Sequence, residues 1–171
     1  CGDYVSDTPR VEIVTGIRTA QALQFFEQDM VGVKGYDAAI LEVLTRHGIW
    51  IVSKASNANT ITHYVDSTLK HVKRVVKALQ EAFPNAEINT RKVALVSAIG
   101  SDMKVPGILS RSVKSLADAG ISVLAIHQCM RQVDIQFVMD EDHFEKAIVA
   151  LHGALIEPHN HEYAIVAAST A

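Results

Sequence analysis

Gly35-Tyr36-Asp37-Ala38-Ala39-Ile40-Leu41-Glu42-Val43-Leu44-Thr45-Arg46-His47-Gly48-Ile49 and Gly107-Ile108-Leu109-Ser110-Arg111-Ser112-Val113-Lys114-Ser115-Leu116-Ala117-Asp118-Ala119-Gly120-Ile121 read as one pattern written twice. Each opens on a glycine, carries apolar residues at helical spacing and closes on Gly-Ile. The second follows the first by 72 positions. Ala22/Ala94, Leu23/Leu95, Leu44/Leu116, Val65/Phe137, Val72/Phe144, Val76/Ile148, Leu79/Leu151 and Phe83/Leu155 keep that spacing without a gap. A period sustained this far predicts two copies of one module.

Outward from the quoted stretch, Ala20 to Gln28 mixes Leu23, Phe25 and Phe26 with polar residues, as a strand does. A loop through Gly32 and Gly35 leads into a helix with Ile40, Leu41, Val43 and Leu44, which Gly48 ends. Ile49 to Ala55 is β-rich, Asn57-Ala58-Asn59 is a turn and Thr60 to Val65 the return strand. Asp66 or Ser67 caps the next helix, whose face is Leu69, Val72, Val75, Val76, Leu79 and Phe83. Pro84-Asn85 ends it, and Ala86 to Asn89 is a short last strand. The second copy repeats the order: Val93 to Gly100, a helix from Gly107 to Gly120, Ile121 to Gln128, Val133 to Met139, and a helix from about Glu141 with Phe144, Ala147, Ile148, Leu151 and Leu155 inward.

Strand, helix, strand, strand, helix, strand is the split βαβ unit. The second copy lacks its last strand, since Glu157-Pro158-His159-Asn160-His161-Glu162 is a poor one. Val11 to Ile17, before the first copy, is a good one. We therefore expect an α+β chain of two ferredoxin-like βαββαβ modules with the first inserted into the second: linker 1–10, first module 19–90, second module 11–18 plus 91–157, tail 158–171. Tyr163 to Val166 is the competing strand. The opening Cys1-Gly2-Asp3 and the polar run to Arg10, with Pro9, read as a piece cut from a longer protein.

At 171 residues and 18.6 kDa, 49% hydrophobic and 20% charged, the chain has globular rather than disordered or collagen-like composition. A net charge of −3 disfavours bulk-charge binding to nucleic acid or anionic membrane. No apolar run approaches the roughly 20 residues of a bilayer span. Two cysteines, Cys1 and Cys129, point to a reducing, cytoplasmic setting.

Four chemistries were weighed. Phosphate chemistry needs a Gly-rich loop with its lysine, and Gly32 and Gly35 are too sparse. Metal binding needs three or four convergent ligands. His127 and Cys129 share a strand face, and His152, His159 and His161 gather late; packing and a solvated tail explain them better. RNA binding on such a sheet uses stacked aromatics, whereas Val133, Ile135 and Phe137 offer one ring, and Lys70-His71-Val72-Lys73-Arg74 is a solvated helix face. Small-molecule sensing fits best. Gly35 and Gly107 stand at helix N-termini, whose free N–H groups attract a carboxylate, while nearby strand carbonyls accept from an amino group. Taken singly, each glycine is also explained by a tight turn; the duplication favours the sensing reading.

With these residues in view, the chain resembles the paired ACT domains at the regulatory end of aspartokinases, from about Val11 to Glu157. Val14-Thr15-Gly16-Ile17 resembles the family's lead-in, and Val93 to Gly100 with Met103, Pro106-Gly107-Ile108 and Ala119-Gly120-Ile121 resembles its second module. The resemblance implies feedback control by an end-product amino acid of a kinase that phosphorylates L-aspartate in lysine, threonine and methionine synthesis. ATP and Mg would serve that kinase part, while this fragment would use no cofactor, hold no metal and be non-catalytic. It also implies a homodimer through the ACT modules, partnered by its own kinase domain. Carried over by position, the effector pocket falls on Met30, Gly35, Tyr36, Asp37, Ile51, Val52, Asn57 and Thr60. A second candidate site falls on Pro106, Gly107, Ile108, Val123 and Gln128. Lysine-sensitive members carry an acid near Val52; its absence predicts threonine over lysine. Ser56-Asn57-Ala58-Asn59-Thr60-Ile61-Thr62-His63-Tyr64 resembles the ectoine-associated branch. The alternative is a free-standing ACT-type sensor or oligomerisation module.

Overall fold

A computed structural model describes residues 10–158 apart from Gly32 and Asp102. Residues 163–166, expected as the competing strand, His159, His161 and residues 1–9 of the expected linker lie outside the described residues. The elements are β1 Arg10–Phe26, α1 Tyr36–Arg46, β2 Trp50–Ser56, β3 Thr60–Asp66, α2 Leu69–Ala82, β4 Glu87–Ser101, α3 Ile108–Asp118, β5 Ala125–Gln128, β6 Asp134–Met139 and α4 Phe144–Leu155. Sheet order is β2-β3-β1-β4-β6-β5, with every described pairing register antiparallel. This is the ferredoxin-like arrangement, in two compact units: Thr19–Val93, and the described parts of Cys1–Arg18 and Ala94–Ala171.

Two expected pairs of strands are single strands. Val11–Ile17 and Ala20–Gln28 join in β1, and Ala86–Asn89 joins Val93–Gly100 in β4. Neither Arg18-Thr19 nor Thr90-Arg91-Lys92 contains a glycine or proline to break the extended chain.

The first unit packs Leu23, Phe25, Met30, Ile40, Val43, Leu44, Ile61, Val75 and Leu79 into its core. In the second unit Val11 joins Ala94, Val96, Ala98, Leu116, Ile135, Phe137, Met139 and Leu151. Gly16 and Gly100 let β1 and β4 approach closely there. A Cβ at Gly16 would stand 2.2 Å from the Leu95 carbonyl oxygen, and one at Gly100 would stand 2.0 Å from that of Arg10.

Several local expectations need correction. The cap of α2 is Thr68, whose side chain accepts from the His71 N–H at 3.3 Å. Asp66 still belongs to β3, and the Ser67 hydroxyl meets the His71 ring at 3.0 Å. Leu69 is 43% exposed because it occupies the first turn, outside the stripe of Val72, Val75 and Leu79. The strand expected from Ile121 begins only at Ala125: Ile121 closes helix α3 through its N–H to Leu116 O at 2.9 Å and is buried as a plug.

The ungapped repeat register holds for the helices but slips in the strands. Gly35 and Gly107 start α1 and α3 with left-handed φ of 96° and 106°, as the spacing requires. Yet Leu23 faces His63 across β1 and β3, while Leu95 faces Val138 across β4 and β6. The pair that matches Leu23–His63 in facing its own core is Val96–Phe137. The turn between β2 and β3 spans residues 57–59, whereas 129–133 separate β5 from β6. The two extra residues move β6 along by two, which keeps its faces, whereas β4 is offset by one residue, from Leu95 to Val96, and a one-residue shift exchanges the two faces of a strand.

Candidate effector cleft in the first module

The loop after β1, the start of α1 and the β2–β3 turn enclose a cleft of 320 Å³ lined by Met30, Val33, Gly35, Tyr36, Asp37, Ser56, Asn57, Ala58 and Ile61. Gly35 is the N-cap of α1 and supplies no side-chain cap. The first-turn N–H groups therefore lack intrahelical acceptors, and the helix end carries partial positive charge. Opposite, the Asn57 side-chain oxygen accepts from the N–H groups of Asn59 at 3.3 Å and Thr60 at 3.0 Å, which fixes the turn.

Tyr36 is held in place by aromatic packing. Its ring stacks on Phe83 with centroids 5.6 Å apart, and Phe83 meets Phe25 edge-on at 5.1 Å. Burial and the nearby Glu27 carboxylate hold the pKa of the Tyr36 phenol above the ordinary tyrosine value. Beside it, Asp37 pairs with Lys54 through Oδ2. Its Oδ1 is buried without a hydrogen-bond partner. Lys54 is the cross-strand neighbour of His63. His63 is 0% exposed, neither ring nitrogen has a hydrogen-bond partner, and burial, aided by Lys54, lowers its pKa to about 4. The imidazole is thus neutral at pH 7.

Of the residues singled out from sequence, Met30, Gly35, Tyr36, Asp37 and Asn57 line the cleft together. Ile51 instead packs against the hydrophobic core, and Thr60 begins β3. Val52 falls at the register shift between Ile51 and Ser53, a β-bulge that takes it out of the pairing. Reasoning from sequence missed Glu27, Lys54 and His63. The alternation Ile61-Thr62-His63-Tyr64-Val65 carried the signal for His63, because it sets a histidine on the core side.

In the second unit Ile108 is buried and Val123 packs on the core, while Pro106, Gly107 and Gln128 are exposed. A cleft of 180 Å³ lined by Thr15, Gly16, Ile17, Leu95, Ser97 and Gln136 lies in this unit away from those five, with no charged side chain. His127 has its pKa lowered by burial, and Cys129 Sγ meets Asp134 Oδ1 at 3.5 Å. Among the described residues there is no cluster of three or more metal-ligating side chains, and no helix is long and apolar enough to cross a membrane.

Two ferredoxin-like units, each with a left-handed glycine opening its first helix and one with a cleft at that point, have the ACT type of fold. A family model described as "ACT domain" matches residues 96–155. Aspartate kinase Ask_Ect of Stutzerimonas stutzeri (strain A1501) is 46% identical over 166 residues, which is 97% of this chain and 35% of that protein. The chain is similar to that aspartate kinase over nearly its whole length and spans about a third of the relative's own length. The bifunctional aspartokinase/homoserine dehydrogenase of Haemophilus influenzae is 25% identical over 90% of this chain and 20% of its own. The fold matches the regulatory subunit of aspartate kinase from Thermus flavus, with TM-score 0.73, 18% identity and coverage of 85% of this chain and 98% of that one. It also matches E. coli aspartokinase III in complex with lysine and aspartate, with TM-score 0.73, 18% identity and coverage of 89% and 35%.

Proposed function

We propose that this region binds a small amino acid in the first-module cleft and passes the signal to an aspartate-phosphorylating kinase part of a longer protein, which would use ATP and Mg. The observation that carries this reading is the cleft at Gly35–Asp37, where the uncapped N–H groups of the helix start border a space of amino-acid size. The α-carboxylate suits the helix end. Asp37 is already paired with Lys54, so a second ammonium would enter without an acid of its own. An uncharged side chain is favoured for that reason, threonine over lysine. The likeness to Ask_Ect supports placing the parent enzyme in the ectoine-associated branch.

The working unit is a cytoplasmic homodimer through the ACT modules. β2 and β5 close the two ends of the sheet order as edges, and Trp50 on β2 is 73% exposed. An unpaired edge with an exposed aromatic favours pairing with a second copy. Calorimetric titration with L-threonine, L-lysine and L-methionine tests the effector reading. Threonine binding at least tenfold tighter than lysine supports it, and silence from all three refutes it. Light scattering tests the dimer, which a mass of 18.6 kDa at micromolar concentration would exclude.

A further inference from the structure

The charge pair beneath the cleft is absent from the second module, and this shows what it is for. Asp37 and Lys54 correspond in the repeat to Leu109 and Ile126, and His63 corresponds to Phe137. The same supersecondary unit folds with three apolar residues there. Fold formation therefore does not require the ion pair. A partly exposed pair is also worth only about 0–1 kcal/mol in stability, with Lys54 and Asp37 side chains 31% and 45% exposed.

What the pair does change is the charge presented to the cleft. Asp37 lines the cleft; Lys54 does not, but it reaches Asp37 from β2. The other side of Lys54 meets His63, a neutral ring that cannot supply an anion. Glu27 is the other buried acid nearby, and it makes no ion pair with Lys54, whose partner is Asp37. Asp37 is thus the acid the structure pairs with Lys54. Without Lys54, the cleft would hold a half-buried carboxylate with no cation, and such a group attracts an ammonium strongly.

We infer that Lys54 is a specificity-determining residue, an internal cation that occupies Asp37 and so excludes amino acids with a cationic side chain from the first-module cleft. The inference rests on the amino-acid-binding reading above. It adds that the preference is set by one residue from outside the cleft lining, and that removing its charge opens the cleft to lysine.

The test uses the whole 171-residue chain and three probes: L-lysine, L-norleucine (the same chain without the ammonium) and L-threonine. Lys54→Met is expected to raise lysine affinity at least tenfold, equivalent to about 1.4 kcal/mol, and to change norleucine and threonine less than threefold. Lys54→Arg keeps the cation and should keep lysine excluded. Adding Asp37→Asn to Lys54→Met should abolish the gain. Lys54→Gln provides a second neutral variant should Lys54→Met fold poorly, with far-ultraviolet circular dichroism as the check. An unchanged lysine-to-norleucine ratio in a folded neutral variant overturns the assignment to Lys54 while leaving the binding reading intact. Silence of wild type and variants toward all probes overturns both. Lysine binding by the neutral variants with no threonine binding by any form supports the assignment and refutes the threonine preference.

Discussion

The two modules solve the same packing problem with opposite chemistry at one place. Where the second unit sets Ile108, Leu109, Ile126 and Phe137, the first sets Tyr36, Asp37, Lys54 and His63. Ile108 and Phe137 are 3% and 0% exposed, and they seal the spot with hydrocarbon. In the first unit the same spot opens into a cleft with a tyrosine, an ion pair and a neutral buried histidine. A buried imidazole with no hydrogen-bond partner is destabilising. The first module carries one at this spot, and the second places hydrocarbon there.

The contrast is most sharply broken by separating the units. Gly100→Ala drives a Cβ into the Arg10 carbonyl, and we expect a loss of about 4 kcal/mol, at the severe end for a single substitution. Hydrogen exchange should show protection lost first in residues 94–157 and kept in Thr19–Val93. Uniform loss would show that the units are not separable. Next in size, Phe137→His transplants the first module's residue into the apolar site, and should cost about 3 kcal/mol in chemical denaturation through a lost aromatic and a buried polar ring.

The reverse swap, His63→Phe, should gain about 1 kcal/mol at pH 7 by removing unsatisfied nitrogens. It should also change the acid response. The folded pKa of His63 is lowered to about 4 from 6.5, so the unfolded chain takes up the proton first. The stability tied to a neutral His63 is complete above pH 6.5 and is lost as pH falls toward 4. Thermal melts of wild type should weaken across that window, and those of His63→Phe should weaken less. Equal slopes would remove His63 from the account. Smallest of all, Asp37→Asn should cost about 0.5 kcal/mol, as a partly exposed pair does; a loss above ~2 kcal/mol would mean that the pair holds the fold after all.

The helices and their glycines were plain in the sequence, because Gly35, Gly48, Gly107 and Gly120 all need positive φ and helical spacing tolerates no slippage around them. Strand register was not. Val65/Phe137 look like counterparts in the sequence, yet Phe137 stands opposite Ile126 as His63 stands opposite Lys54, so the 72-residue match hides a two-residue shift in β6 and a one-residue shift in β4, and it is the latter that exchanges the core-facing residue. The cleft was half legible. Tyr36 and Asp37 follow from the glycine before them, whereas the Lys54–Asp37 contact joins β2 to α1 and emerges only from side-chain geometry. Val52 came from the resemblance by position, and the bulge that takes it out of the pairing cannot be read from the run Trp50-Ile51-Val52-Ser53.

The interleaving of β1 and β4 also orders events in time. Every strand and helix that completes the first unit has been synthesised by Val93, so its contacts become available first. Val11 must wait for partners such as Phe137 and Leu151, more than a hundred residues downstream. Contacts of that sequence separation close slowly. During synthesis the first half of β1 is thus an extended, partly apolar segment without its permanent neighbours, next to a unit that is already finished. The copy that carries the cleft matures before the copy that encloses it in sequence.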